Sequence, residues 1–131
     1  MKKRRTFLAA LALASVAAAA QPPTVTDGLM TDPNGHTLYT FAYDRPGKSN
    51  CNFACTVAWF PYRASTSERG EGRLSIVERP DGVRQWAIDG RPLYLYTGDV
   101  QPRDVKGDLP GYPWRVLRLS GKPEEKSDPA S

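Results

Sequence analysis

The chain is poor in the residues that most often carry catalysis, metal binding or redox chemistry. Its 131 residues include two cysteines, two methionines and one histidine. It has no glycine-rich phosphate loop, no Gly-x-Ser-x-Gly nucleophile turn and no His-Glu-x-x-His zinc motif. Because no set of side chains suggests complementary catalytic roles, we expect a protein that is not an enzyme.

A surplus of positive charge is also missing once the amino end is set aside. The four basic residues at positions 2–5 account for the net charge of +4, because the other 14 Lys and Arg equal the 14 Asp and Glu in number. Nucleic-acid binding needs an excess of clustered Lys and Arg, so we expect none. Beyond residue 20, no apolar run approaches the roughly 20 residues of a membrane-spanning helix, and we expect no membrane span.

Residues 1–20 are typical of a secretory signal peptide. The basic stretch at 2–5 precedes an apolar, alanine-rich run that ends in the small-x-small pattern of a cleavage site. We therefore expect a periplasmic or secreted protein. RRTFL, at 4–8, also resembles a twin-arginine signal, so both export routes stay open. No cysteine stands at the cleavage site, and we expect no lipid anchor.

A repeat with an offset of 55 residues runs through the rest of the chain. GHTLYTFAYD at 35–44 aligns without gaps with GRPLYLYTGD at 90–99, and Trp59 falls on Trp114 at the same offset. Self-similarity at a fixed period indicates a duplicated structural unit. The polar carboxyl end predicts a disordered tail. The predicted boundaries are one domain over 21–120, repeats at about 27–62 and 81–118, and a tail over 121–131.

Short aromatic and β-branched stretches between turn residues predict a mainly β fold. LYTFAY at 38–43 and LYLYTG at 93–98 have the composition of strands, and each follows turn-forming residues. Residues 74–88 predict a hairpin that turns at 80–82. CNFACTVAW, at 51–59, predicts a short helix. We expect a single small domain of two duplicated repeats, each containing a β-hairpin, with a short helix at the Cys-x-x-x-Cys segment.

A tyrosine, a second aromatic residue and an aspartate recur in both repeats at the same spacing. In a strand, the two rings point to the same face, so the repeats can pack their rings together. The aspartate follows the strand, where its side chain can accept backbone N–H bonds and fix a turn. We favour this structural role over an exposed face that stacks a ligand such as a sugar ring. The motif residues are Tyr39, Phe41 and Asp44, then Tyr94, Tyr96 and Asp99.

These residues give the chain a resemblance to the bacterial secreted-repeat family, described as predicted lipoproteins with a Yx(FWY)xxD motif. YTFAYD at 39–44 and YLYTGD at 94–99 both match the motif, and the resemblance covers about residues 27–118. The chain departs from the family in three respects. Phe53 stands where glycine is common, Phe60 interrupts a Trp-Pro pair, and the lipid-attachment cysteine is missing. The family has no established activity, so the resemblance implies an architecture and no reaction.

The two cysteines, Cys51 and Cys55, favour a disulfide, because their number is even and the protein is expected to be exported. At helical i, i+4 spacing their Cα atoms would lie about 6 Å apart, which a disulfide tolerates. The alternative is a thiolate pair that binds Cu(I), with His36 and Met30 as further donors. We expect no cofactor, and copper is the alternative.

These observations lead to one function class and one alternative. We expect an exported repeat protein of unknown activity that serves as a binding or accessory protein of the cell envelope, with its partner unknown. The alternative is a periplasmic copper-handling or thiol-redox protein that uses Cys51 and Cys55.

Overall fold

Short strands and one helical turn build the fold in a computed structural model that describes residues 21–121 and residue 123. The mainly β prediction and the short helix are confirmed. The predicted signal peptide, and the predicted tail apart from residues 121 and 123, lie outside the described residues. Among the described residues, no helix has the length and apolar character needed to cross a membrane. The elements are β1 (Thr24–Thr26), β2 (Leu29–Thr31), β3 (Leu38–Phe41), α1 (Cys55–Ala58), β4 (Trp59–Pro61), β5 (Leu74–Glu78), β6 (Arg84–Ile88), β7 (Arg91–Pro92), β8 (Tyr94–Tyr96) and β9 (Trp114–Val116).

Two hairpins have tight turns that consist of an aspartate followed by a glycine. β1 and β2 form an antiparallel hairpin through Asp27 and Gly28, and β6 joins β7 through Asp89 and Gly90. All four turn residues have positive φ, between 49° and 81°. Two such residues in succession match the right-handed twist of the strands they connect. β5 pairs with β6 in a hairpin that turns at 80–82, as predicted.

Strands of the two repeats alternate in the central four-stranded sheet, whose order is β4-β8-β3-β9. β3 and β4 belong to the first repeat, whereas β8 and β9 belong to the second. Tyr39 lies directly opposite Tyr94 in the β3–β8 pair. Trp59 lies opposite Tyr96 on one side, just as Trp114 lies opposite Phe41 on the other. The repeats are thus related by an approximate two-fold axis between β3 and β8.

The central strands are covered on both faces. Leu38 and Leu93 pack into one apolar cluster, whereas the tyrosines that follow them pack into another. Successive strand residues point to opposite faces, so strands buried on both sides become continuously apolar rather than alternating. The first cluster contains Met30, Leu38, Tyr62, Leu74, Trp86, Ile88, Leu93 and Leu117. The second, the aromatic cluster, contains Tyr39, Cys51, Trp59, Tyr94 and Trp114.

Candidate functional site

Each motif aspartate accepts a hydrogen bond from the tyrosine of the opposite repeat. The hydroxyl of Tyr39 donates to Asp99 Oδ2 at 2.6 Å, and that of Tyr94 donates to Asp44 Oδ2 at 2.7 Å. Both tyrosines are buried. Equal spacing in the sequence predicts equivalent positions, but it does not show that the pairs cross between repeats. The motif therefore ties the two repeats together.

The second oxygen of each motif carboxylate holds a loop. Asp44 Oδ1 accepts the N–H of Asn50 at 2.6 Å, and Asp99 Oδ1 accepts the N–H of Lys106 at 2.9 Å. Burial raises the pKa of the Tyr39 hydroxyl above its ordinary value, so this hydroxyl stays protonated and can donate at neutral pH. Each aspartate thus joins its own loop to the other repeat, which extends the turn role expected from the sequence.

Four motif and tryptophan rings form a continuous stack across the sheet. Trp59 and Trp114 lie in the centre, with ring centroids 3.8 Å apart and planes inclined by 3°. Phe41 stacks on Trp114 at 4.4 Å, and Tyr96 stacks on Trp59 at 4.3 Å. The stack alternates between repeats, as the strands do. Aromatic contacts of this kind add to the stabilisation from buried area, so these rings contribute to the interior of the domain.

A buried arginine reinforces the contact between Tyr94 and Asp44. Arg79 is 5% exposed, and its guanidinium donates to Ser49 Oγ at 2.8 Å and to Gln85 Oε1 at 2.9 Å. Ser49 Oγ in turn lies 2.5 Å from the hydroxyl of Tyr94. Burial raises the pKa of Asp44, and the positive charge of Arg79 acts in the opposite direction. Residue type alone would assign Arg79 to the surface, so nothing in the sequence indicates this network.

The equivalent contact between Tyr39 and Asp99 is supported by a glycine of the second repeat, Gly107, instead of by a buried arginine. The N–H of Gly107 donates to the hydroxyl of Tyr39 at 3.2 Å. A Cβ atom at Gly107 would lie 2.4 Å from Cη2 of Trp59, closer than real Cβ contacts allow. Glycine is therefore required here by the stacked rings, and the two repeats differ in how they support equivalent tyrosines.

Cys51 and Cys55 form a disulfide, with a Cα–Cα distance of 5.3 Å. The other donors of the copper alternative lie elsewhere. Met30 is in the first cluster, whereas Cys51 is in the aromatic cluster. His36 Nδ1 lies 3.5 Å from Asp32 Oδ2. The structure does not bring the four residues together, and the described residues contain no group of three or more His, Cys, Asp and Glu that could hold a metal.

Reducing the disulfide is expected to lower the free energy of unfolding by about 2 kcal/mol, because the bond closes a short loop and constrains the unfolded chain only modestly. Urea denaturation with and without reductant measures this difference. The Cys51→Ala, Cys55→Ala double variant is the control and should not respond to reductant. A loss well above 2 kcal/mol would contradict the explanation from loop closure. Titration of the reduced protein with Cu(I) tests the copper alternative, which requires one bound equivalent that the double variant loses.

Phe53, between the two cysteines, has an unusual backbone and an unusual exposure. Its φ is +53°, a left-handed conformation that bulky residues rarely adopt. Its side chain is 92% exposed, so burial does not compensate for the strain. Glycine at this position would not carry this strain.

Replacing Phe53 with glycine is expected to raise the free energy of unfolding by about 1 kcal/mol, because glycine adopts positive φ without a steric penalty. Urea denaturation of the purified variant provides the measurement. Phe53→Ala is the matched control, since it removes the ring but keeps the Cβ atom, and its stability should remain near that of the parent. Equal stabilisation by both substitutions would assign the effect to the exposed ring rather than to the backbone.

A groove of about 330 Å³ lies beside β8 and the edge strand β4. Phe60 is half exposed there and Tyr96 is half buried. Asp32 accepts the N–H groups of Asn34 and His36 through one oxygen, at 2.9 Å each. The sequence analysis named four of the lining residues for other reasons, but nothing in the sequence indicated the groove, because its walls come from distant segments. It is lined by Asp32, His36, Thr37, Phe60, Leu95, Tyr96, Thr97 and Asp99.

Two comparisons place the chain among known proteins. It is 32% identical over 66 residues to an uncharacterized ribonuclease of Synechocystis sp. (strain ATCC 27184 / PCC 6803 / Kazusa), an alignment that covers 48% of this chain. The chain spans only 10% of that ribonuclease. No solved structure gives a significant match. Residues 24–62 and 75–118, together more than half of the chain, match the profile of a family described as a secreted repeat of unknown function. With both repeats matched, the chain belongs to this family of secreted repeats.

Proposed function

We propose that this protein is a non-catalytic binding protein of the cell envelope and that its ligand is a saccharide. The groove beside β8 carries this proposal, because it combines the exposed ring of Phe60 with fixed hydrogen-bond acceptors. All four motif rings, that of Tyr96 included, are packed in the aromatic cluster or against it. The proposal therefore concerns the groove, whereas the motif supplies the scaffold that holds it.

The chemistry of the groove suits a sugar ring. A saccharide presents apolar C–H faces, which can pack on the half-exposed ring of Phe60, and hydroxyl groups, which can donate to carboxylates. Ionised carboxylates accept about four hydrogen bonds. Asp32 and Asp99 are already fixed by backbone N–H groups, so their remaining capacity is held in position. A ligand that meets preformed acceptors loses less free energy to ordering the protein.

The hydrogen bonds of the carboxylates support binding rather than catalysis. Asp99 accepts from both Tyr39 and the N–H of Lys106, so both of its oxygens already have structural partners. His36 Nδ1 lies 3.5 Å from Asp32 Oδ2, and the hydroxyl of Thr37, another lining residue, donates to the carbonyl oxygen of Asp104 at 2.7 Å. A catalytic site needs side chains in complementary roles around one reacting atom.

Calorimetric or NMR titration with short neutral oligosaccharides tests the proposal. We expect binding that Phe60→Ser weakens at least tenfold, because the substitution removes a ring from the groove wall. Tyr43→Ser is the control, since it removes a ring that is 69% exposed but does not line the groove. Failure of every oligosaccharide to bind at millimolar concentration, or equal binding by the Phe60 variant, would refute the assignment. Release of new reducing ends during incubation would refute the non-catalytic part.

A further inference from the structure

The loop from Cys51 to Cys55, here called the Phe53 loop, keeps an aromatic ring in solvent at a strained backbone position. The left-handed φ of Phe53 and its 92% exposure both oppose the stability of the isolated protein. Strain of this kind persists when the surrounding structure enforces it, and it concentrates at functional sites. We therefore expect the Phe53 ring to act through a contact with another molecule.

The surroundings hold this loop in one conformation. The disulfide joins its two ends. Arg79 donates to the carbonyl oxygen of Cys51 at 2.5 Å and to Asn52 Oδ1 at 3.2 Å. The hydroxyl of Thr56 donates to the carbonyl oxygen of Phe53 at 2.6 Å. The ring is presented by a backbone that is already ordered, which reduces the conformational cost of binding.

The sequence on both sides of Phe53 supplies another exposed apolar residue and three basic residues. Val57, 73% exposed, lies in α1, which begins two residues after Phe53. Residues 45–67 contain three basic residues and no Asp or Glu, although positive and negative charges balance over the chain beyond residue 20. The three are exposed, and none belongs to an ion pair found among the described residues. They are Arg45, Lys48 and Arg63.

We propose that the Phe53 loop docks on an anionic lipid surface. Phe53 and Val57 enter the interfacial region, and the basic residues of 45–67 are attracted to the anionic headgroups. Two apolar side chains on a protruding loop offer far less area than a stable protein–protein interface requires. Insertion of apolar side chains and attraction of basic residues to anionic lipid add to one another in binding to a membrane surface. This surface is separate from the saccharide groove and does not depend on that assignment.

Vesicle binding by the full protein after export tests the proposal. We expect it to bind vesicles of phosphatidylglycerol and phosphatidylethanolamine and to release them at high salt, with no binding to phosphatidylcholine alone. Phe53→Gly should weaken binding at least tenfold, as should the triple variant Arg45→Gln, Lys48→Gln, Arg63→Gln. Tyr43→Ser, which removes an exposed ring outside the loop, should bind as the parent does. Thermal unfolding of every variant establishes that it remains folded.

A second measurement locates the ring directly. In Phe53→Trp, the added fluorescence should shift to shorter wavelength on vesicles and be quenched by lipids with brominated acyl chains, relative to the unsubstituted protein. Absence of vesicle binding, undiminished binding by Phe53→Gly or an unquenched Phe53→Trp would each overturn the proposal. Saccharide titration of Phe53→Gly should match the parent, so the loop proposal and the groove proposal can fail independently.

Discussion

Replacing Tyr94 with alanine is expected to lower the free energy of unfolding by about 3–5 kcal/mol, the usual loss when a buried aromatic side chain is truncated. Tyr94 is fully buried opposite Tyr39, and its ring meets that of Trp114 edge to face at 5.0 Å. The substitution leaves a cavity at the centre of the aromatic cluster. Urea denaturation of the parent and the variant measures the difference.

Two further variants separate the ring from its hydroxyl. Tyr94→Phe keeps the ring but leaves Asp44 and Ser49 without the hydroxyl, and should cost about 1–3 kcal/mol. Tyr112→Ala, at an exposed tyrosine, should cost less than about 0.5 kcal/mol. A loss for Tyr94→Ala as small as that of Tyr112→Ala would show that the motif tyrosine does not support the core.

Replacing Arg79 with methionine is expected to cost about 3 kcal/mol. The methionine keeps much of the apolar stem but removes every donor, and a buried acceptor left without a partner costs about 1–3 kcal/mol. Because methionine is uncharged, the substitution also removes the cost of burying the guanidinium charge, and this offsets part of the loss. The acceptors concerned are Ser49 Oγ, Gln85 Oε1, the Cys51 carbonyl oxygen and Asn52 Oδ1.

The matched control is Arg73→Met. Arg73 pairs with Asp89 at 2.5 Å on the surface, where an ion pair contributes about 0–1 kcal/mol. Equilibrium denaturation of both variants under the same conditions compares the two positions. Similar losses at Arg79 and Arg73 would contradict the view that the buried network stabilises the first repeat.

The sequence predicts the local structure of this protein well because the relevant signals are local. Turn residues at 80–82 determine the β5–β6 hairpin, and the duplicated GHTLYTFAYD and GRPLYLYTGD segments identify β3 and β8 as equivalent. The disulfide follows from the number and spacing of the cysteines. Each of these features involves residues that are close in the chain or identical in two places.

The features that the sequence does not reveal depend on distant segments. Tyr39 could have paired with Asp44 of its own repeat, and only the alternation of strands brings it to Asp99. Arg79 is polar by type, and its burial depends on acceptors contributed by residues 49–52 and by Gln85. The groove likewise combines residues 32–37 with Phe60 and residues 95–99. The spacing of residues along the chain does not predict contacts between such distant segments.

The alternation of strands also determines when the chain can fold during its synthesis. Within the described residues, every pairing in the central sheet joins a strand of one repeat to a strand of the other. β3 and β4 therefore leave the ribosome with no partner in this sheet, and the last partner, β9, ends at Val116. Long loops must close before these contacts form, which slows folding. The nascent first repeat cannot build this sheet alone, so the duplicated halves fold as one cooperative unit.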